Sequence, residues 1–245
     1  MQRFFIADLH LNENEPEITA GFLHFLQSLP AHCELYILGD LFDYWIGDDI
    51  TSALQQEVAK QLNELSKRDI QNYFIHGNRD FLLGKHFAPV SAMKLLSEIF
   101  VINNHQENIV ILHGDLLCID DQAYQKFRKK MHNRWLQRLF LLLPRYFRQK
   151  IANKMRNKSS QYNQYKAESI MDVNQNAVEE MMTKYQASIM IHGHTHRPAT
   201  HYFDIADKPS QRIVLGAWHD GINYIKQDES GKITLVQNGN EKRVK

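Results

Sequence analysis

The chain has 245 residues, 43% of them apolar, with 29 Lys and Arg against 28 Asp and Glu, room for one large domain or a domain with an appendage. Two cysteines, Cys33 and Cys118, are too few for a disulfide framework and read as small buried side chains in a reducing, cytosolic setting. No basic leader followed by an apolar segment opens the chain, and no apolar run approaches the roughly 20 residues of a membrane-spanning helix.

In chain order, Arg3–Ala7 is a short apolar run expected to form a buried strand, and it leads into Asp8-Leu9-His10. Pro16 starts a helical stretch through Phe22, Leu23, Leu26 and Leu29. Leu35–Leu38 is a second strand, ending in Gly39-Asp40-Leu41-Phe42-Asp43. Thr51–Ser66 is a second helix candidate. Tyr73–Ile75 runs into His76-Gly77-Asn78-Arg79-Asp80, and Ile109–Leu112 into His113-Gly114-Asp115. The pattern then changes. Tyr124–Leu143 and Pro144–Met155 have amphipathic helical spacing, with Ser159–Ala167 as a further helix. Asp172 is expected to N-cap a helix carrying Val178 and Met182. Ser188–Ile191 returns to strand and ends in His192-Gly193-His194-Thr195-His196. Later strands fall at Arg212–Leu215, Asn223–Lys226 and Lys232–Val236, and the polar Asn238–Lys245 is expected to fray.

Five strands thus end in Asp, His or Asn, which is how an α/β fold gathers a site from distant sequence. Asp8 and His10 are two apart, so an extended strand end points both to one side. His194 and His196 repeat the spacing, and Asp40, Asn78 and His113 complete seven groups. Oxygen and imidazole donors without thiolate suit Mn²⁺, Fe²⁺, Zn²⁺ or Mg²⁺. Seven groups exceed one tetrahedral site but suffice for two ions if one carboxylate bridges. Such ions, about 3.5–4 Å apart, can clamp both oxygens of an in-line displacement at phosphorus. Asp43, Asp80 and Asp115 are expected to back this set or shape its turns rather than join it, His76 and His192 to back it or lie in the core, and His219, just after another strand, is a further candidate for support.

Charge is segregated. From Gln122 to Lys158 there are twelve Lys and Arg and no acid, which leaves 17 basic and 28 acidic residues elsewhere, a net of −11. A basic insert in an acidic body points to an anionic partner, lipid headgroups or nucleic acid. Residues 1–120 and 168–245 are therefore expected to form one discontinuous core, with residues 121–167 as a basic helical cap inserted in it.

The succession D-x-H, G-D-x-x-D, G-N-x-D, H-G-D and G-H-x-H resembles the calcineurin-like metallophosphoesterases. The resemblance implies an α/β fold, a four-layer αββα sandwich with a dinuclear site at the strand ends. Asp8, His10, Asp40 and His196 would hold one metal. Asp40, Asn78, His113 and His194 would hold the other, Asp40 being the bridge. Many phosphatases of this superfamily carry His after the G-N pair; here Arg79 stands there. A guanidinium cannot act as a general acid near pH 7, but it can grip phosphate oxygens. That suits a leaving group needing little protonation, such as one half of a phosphoanhydride.

Longer segments narrow the resemblance: FIADLHL from Phe5, YILGDLF from Tyr36, WIGDD from Trp45, FIHGNRDFLLG from Phe74, IMDVNQN from Ile170, IHGHTHRP from Ile191 and VLGAWH from Val214. These are similar to the UDP-2,3-diacylglucosamine pyrophosphatases of lipid A biosynthesis. The resemblance implies hydrolysis to UMP and 2,3-diacylglucosamine 1-phosphate by attack at the α-phosphorus, with Mn²⁺ as the metal and Asn78 and Arg79 as catalytic residues. It implies substrate contacts from Asn78, Arg79, Asp121, Ser159, Asn163, Lys166 and His194. It also implies peripheral association with the anionic cytoplasmic face of the bacterial inner membrane, without nucleic acid or an obligate protein partner. The cap's Trp135, Leu136, Leu139, Phe140, Leu142, Leu143 and Phe147 would line an acyl groove, and its twelve basic residues would face headgroups. The alternatives are another phosphodiesterase or nuclease of the superfamily, or a non-catalytic basic membrane-binding module.

Overall fold

The computed structural model describes residues 1–49, 52–103, 107–164 and 172–244; for 157–164 and 243 it describes the backbone alone. Two sheets form the body. The larger has the order β12-β11-β10-β1-β2-β3-β4, and the smaller β5-β6-β7-β9-β8. In the larger sheet β1 (Arg3–Ile6), β2 (Glu34–Ile37), β3 (Gln71–Phe74) and β4 (Met93–Leu95) are parallel. Three antiparallel strands, β10 (Asn223–Gln227), β11 (Ile233–Gln237) and β12 (Asn240–Arg243), extend it beyond β1. The smaller sheet holds β5 (Ile99–Ile102), β6 (Asn108–Leu112), β7 (Ala187–His192), β8 (Ala199–Ile205) and β9 (Lys208–Val214).

The short apolar runs are apolar throughout because both faces of their strands are covered. On β1, Phe4 and Ile6 pack beneath α1 (Pro16–Ser28) and α2 (Ala53–Ser66), while Phe5 lies between the sheets with Ala7 just past the strand. On β6, Ile109 and Ile111 face the other sheet, and Val110 and Leu112 face Val178 and Met182 of α7 (Gln175–Lys184). The period of two thus serves two cores at once, and the expected αββα layering is present. The short α3 (Phe87–Val90) completes the outer layer on the first sheet.

Several expected elements are redrawn. The long helix over Tyr124–Leu143 is two: α4 (Gln122–Met131) and α5 (Arg134–Leu141). Asn133 divides them, its side-chain oxygen accepting from the Trp135 and Leu136 amides as an N-cap. The next helix is longer than expected, α6 spanning Arg145–Gln164. The cap of α7 is Asn174, which accepts from Ala177 N; Asp172 instead accepts from Val173 N. The helix after Asp49 starts at Ala53, with Ser52 and Gln55 forming a capping box; Thr51 lies outside the described residues. Within the polar C-terminal segment, residues 240–243 do not fray: β12 pairs with β11 from Asn240↔Gln237 to Arg243↔Thr234, while Lys245 lies outside the described residues.

Helices α4–α6 fill the place expected of the cap. None of their described residues belongs to a hydrophobic cluster of the body. Their apolar side chains stay largely exposed, Trp135 at 72% and Leu142 at 80%. The basic residues do not all face outward as expected. Arg148 is buried and donates to the Ile46 carbonyl, the Leu143 carbonyl and Asp49. Arg128 pairs with Asp115 at 2.6 Å and with Glu98, and Arg156 with Asp43 at 2.7 Å. These three arginines tie the cap to the acidic body. No helix among the described residues is long and apolar enough to cross a membrane.

Candidate metal centre

Asp8 and His10 follow β1, Asp40 follows β2, Asn78 and Arg79 follow β3, His113 follows β6, and His194 and His196 follow β7. The loops are laced together at one end of both sheets. Asp8 N donates to Gly39 O, His10 N to Asp40 O, Gly193 N to His113 O, and His194 N to Asp8 Oδ2. All seven expected ligands therefore meet, although they come from five separate loops.

The convergence requires unusual backbone. Asp8, His10, Asp40, His194 and His196 all have φ between 52° and 70°, the left-handed region that L-residues rarely adopt. Such strain gathers at functional sites because the surrounding structure holds it there. Two glycines permit the packing: a Cβ on Gly77 would lie 2.2 Å from Asp40 Oδ1, and one on Gly193 2.2 Å from Asp8 Oδ2.

Two ligand groupings are visible. In the first, Asp8, His10 and His196 have ligand atoms mutually within 4.8 Å, with His10 Nε2 and His196 Nε2 3.3 Å apart. In the second, Asn78 Oδ1 lies 2.9 Å from both His113 Nε2 and His194 Nδ1. Asp40 stands between them, Oδ2 at 3.9 Å from His10 Nδ1 and Oδ1 at 3.8 Å from His113 Nε2, as a bridging carboxylate must. Asp8 also joins Asp40 and His113 in a triplet within 4.8 Å, so it faces both groupings rather than one.

The donor chemistry fits divalent cations. Asp8 Oδ1 and His10 Nδ1 are buried without a hydrogen-bond partner, a costly arrangement unless a ligand completes it. His113 Nδ1 faces the Leu38 carbonyl at 2.8 Å and so carries the proton in the neutral ring. In that neutral form its Nε2 and Asn78 Oδ1 meet as two acceptors, which either a second proton on His113 or a cation between them would reconcile. Burial, with the Asp80 and Asp8 carboxylates, pushes Asp40 up to about 7 despite His113. Burial would depress His113, but Asp40, Asp8 and Asp115 outweigh it and hold it at about 9. Burial and Arg79 bring His10 down to about 2, and burial and His113 bring His194 down to about 4. His10 and His194 thus stay neutral, while His113 takes up a proton beside carboxylates short of positive charge, a place that a bound cation would fill instead.

Around the ligands, Asp80 accepts from Leu41 N and Gly77 N, fixing the turns that carry Asp40 and Asn78. Asp115 accepts from Tyr124 Oη and Arg128 Nε. His76 faces the Leu83 carbonyl, and His192 is buried between the Gly193 carbonyl and Arg212. None of the four lies in a ligand grouping: Asp80 braces the ligand turns, Asp115 holds α4, His76 bonds to a carbonyl, and His192 to a carbonyl and to Arg212. Arg79 is part-exposed, with Nη1 on Asp43 at 2.6 Å and Nε 3.5 Å from Asp40 Oδ2. Its Nη2 has no acceptor among the described residues.

The expected substrate contacts fare unevenly. Asp121 is buried, and Oδ1 caps α4 by accepting from Tyr124 N. Ser159 and Asn163 lie on α6, with side chains beyond description, and Lys166 lies outside the described residues. Sequence reasoning overlooked Tyr124, whose ring lies 5.9 Å from His194, and Arg156, hidden in a run of like charges. His219 stands 6.1 Å from His196, ring to ring.

Comparison with known proteins agrees with this geometry. Residues 1–198 match the family described as calcineurin-like phosphoesterase. A UDP-2,3-diacylglucosamine hydrolase from Proteus mirabilis is 55% identical over 238 residues, covering 97% of this chain and 99% of its own. One from Serratia proteamaculans is 56% identical with the same coverage. Among solved structures, a doubly substituted Vps29 from Entamoeba histolytica superposes with a TM-score of 0.50 at 14% identity, over 100% of this chain and 98% of that one, a likeness of fold alone. The chain belongs to the calcineurin-like phosphoesterases and, within them, to the family of the UDP-2,3-diacylglucosamine hydrolases.

Proposed function

We propose that this chain hydrolyses UDP-2,3-diacylglucosamine to UMP and 2,3-diacylglucosamine 1-phosphate with the help of two divalent cations, Mn²⁺ by preference. The observation that carries the reading is the pair of ligand groupings joined by Asp40, in a chain 55% identical over nearly its full length to hydrolases named for that substrate.

Asp8, His10, Asp40 and His196 would hold one ion, and Asp40, Asn78, His113 and His194 the other. When bound, the ions would supply Lewis acidity, neutralising phosphoryl oxygens and lowering the pKa of a water. The chain's own residues do the rest. Arg79, steadied by Asp43, offers its free Nη2 to a phosphate oxygen as charge develops. A water oxygen bonds to the α-phosphorus, and the bond from that phosphorus to the bridging oxygen breaks. UMP keeps the water oxygen, the sugar phosphate departs with the bridging oxygen, and a proton goes to solvent. A phosphate leaving group needs no general acid, which agrees with an arginine where other phosphatases carry histidine.

The cap would receive the two acyl chains on its exposed apolar side chains and rest on the anionic cytoplasmic face of the inner membrane. UMP release from the lipid substrate, against cleavage of a simple aryl phosphodiester, tests the reading. Efficient diester cleavage with no turnover of the lipid would favour a general phosphodiesterase.

A further inference from the structure

The strand order of the larger sheet gives the metal centre two flanks. On one side lie β2 and β3, whose loops carry Asp40, Asp43, Asn78 and Arg79 and receive the cap through Arg148 and Arg156. On the other lie β10, β11 and β12, which the proposed reaction leaves without a task. That flank holds a cavity of about 310 Å³.

Register places this cavity at the catalytic end of the sheet. Arg3 pairs with Gln227 and Phe5 with Ile225, so the chain leaving β1 toward Asp8 runs past Asn223. Asn223 pairs with Gln237, and Gln237 with Asn240. Asn223, Gln237 and Asn240 thus form a row across three strands, beginning beside the loop that carries Asp8. The near wall is joined to the metal centre. Trp218 N donates to Asp8 O at 3.2 Å, and the cavity's Ala217 and Asp220 flank the Trp218–His219 pair. Pro198, also in the wall, is two residues beyond His196. Strands about 4.8 Å apart put β10 and β11 roughly 5 and 10 Å from β1, the reach of a nucleoside from its 5′-phosphate to its base.

The lining is chemically specific. It holds four carboxamides, Asn223, Gln237, Asn238 and Asn240, together with Lys242 and Asp220. Asn223 is committed to the Ala217 and Gly221 carbonyls, and Asn238 Nδ2 to the Asp220 carbonyl, so these two shape the walls. The side chains of Gln237, Asn240 and Lys242 make no hydrogen bond or ion pair with a described residue and are available. A carboxamide offers a donor and an acceptor side by side, which complements the acceptor–donor–acceptor edge of a uracil ring. A volume near the bottom of the roughly 300–1,000 Å³ range of ligand pockets suits one base and sugar, not an acyl chain.

We propose that this cavity is a pyrimidine-nucleoside subsite that holds the uridine of the substrate and of UMP, opposite the cap. The inference rests on the proposed reading for its ligand. It gives the substrate one direction across the centre, nucleoside over β10–β12, α-phosphate at the metals, β-phosphate toward Arg79 and lipid toward the cap.

The test is calorimetric titration of UMP, AMP and inorganic phosphate into the full chain in Mn²⁺, for the wild type and Asn240→Ala/Lys242→Ala. Both residues are exposed, so the variant should keep the wild-type Tm. UMP should bind the wild type about tenfold or more tighter than phosphate, the worth of one or two good hydrogen bonds, and tighter than AMP. The variant should lose most of that margin with phosphate affinity unchanged. An unchanged UMP affinity in the variant, or AMP binding as tightly as UMP, overturns the subsite. The titrations need no turnover, so failure to cleave the lipid would overturn the proposed substrate and leave this result readable.

Discussion

Asp43 and Arg156 meet at 2.7 Å across the join between body and cap, and the same carboxylate takes Arg79 at 2.6 Å on its other oxygen. One buried carboxylate therefore orients a guanidinium beside the metal centre and anchors α6. Asp43→Asn should leave two neighbouring arginines without their shared counter-charge. We expect kcat to fall about tenfold or more, because Arg79 loses the bond that steadies it. Arg156→Ala should instead raise KM for the lipid several-fold and leave Tm within about 1 °C, since none of the described side chains of α6 belongs to a hydrophobic cluster of the body. Equal effects of both variants on kcat and KM would contradict this division.

Metal removal should abolish turnover. Asp40 faces both ligand groupings, so Asp40→Ala should leave no more than one tightly bound ion per chain and cut kcat by about a thousandfold or more. His196→Ala touches one grouping only and should leave the other ion in place. Metal content of the purified variants, read by mass spectrometry beside activity, checks both.

The ligand set was legible because each ligand sits within a few residues of a strand end, and those strands, buried on both faces, announce themselves as apolar runs. Asp8-Leu9-His10 and His194-Thr195-His196 needed no knowledge of the fold. What stayed hidden depends on pairing across distance. Arg128, Arg148 and Arg156 read as charge facing anionic headgroups until the body supplied Asp115, Asp49 and Asp43. The edge strands β4, β8 and β12 escaped notice because they are short or half-exposed and lack an apolar run; β4 has three residues, one of them lysine. The fourth edge strand, β5, is wholly apolar but leads into none of the ligand motifs that singled out the other runs. The break at Asn133 was concealed because its flanks keep helical spacing on both sides.

Gly193→Ala probes the crowding beneath the first metal position. The added methyl would lie 2.2 Å from Asp8 Oδ2 and 2.6 Å from the Ala7 side chain, so Asp8 must move. Metal affinity should drop about a hundredfold while far-UV circular dichroism is kept. A fully active Gly193→Ala enzyme would show that Asp8 tolerates displacement.

Both cysteines are buried, and burial pushes Cys33 up to about 11 and Cys118 up to about 12, the latter helped by Asp115 and Asp172. The folded protein therefore keeps these protons at a pH where the unfolded chain releases them. Between the ordinary thiol value, about 8.5, and these raised values the native state binds more protons, so stability is present below pH 8.5 and falls as pH rises. The urea midpoint should drop from pH 8 to pH 10.5 by more in the wild type than in Cys33→Ala/Cys118→Ala, each compared with its own value at pH 8. Neither thiol should react with a bulky disulfide reagent at pH 8 until the protein unfolds.

The cap's apolar surface gives the last prediction. Trp135 and Leu142 are 72% and 80% exposed, and with Leu139 they form apolar surface that the described structure leaves uncovered. Removing such side chains should cost almost no stability. Leu139→Ala/Leu142→Ala is expected to melt within about 1 °C of the wild type, yet to sediment less with vesicles containing anionic lipid and to lose about tenfold in kcat/KM for the diacylated substrate. Cleavage of a simple phosphodiester, which needs only the metal centre, should be unchanged. In the wild type, Trp135 emission should shift to the blue when anionic vesicles are added, and Trp135→Phe should remove that shift. If lipid turnover survives the double substitution intact, the acyl chains find their place elsewhere and the cap's exposed face has another use.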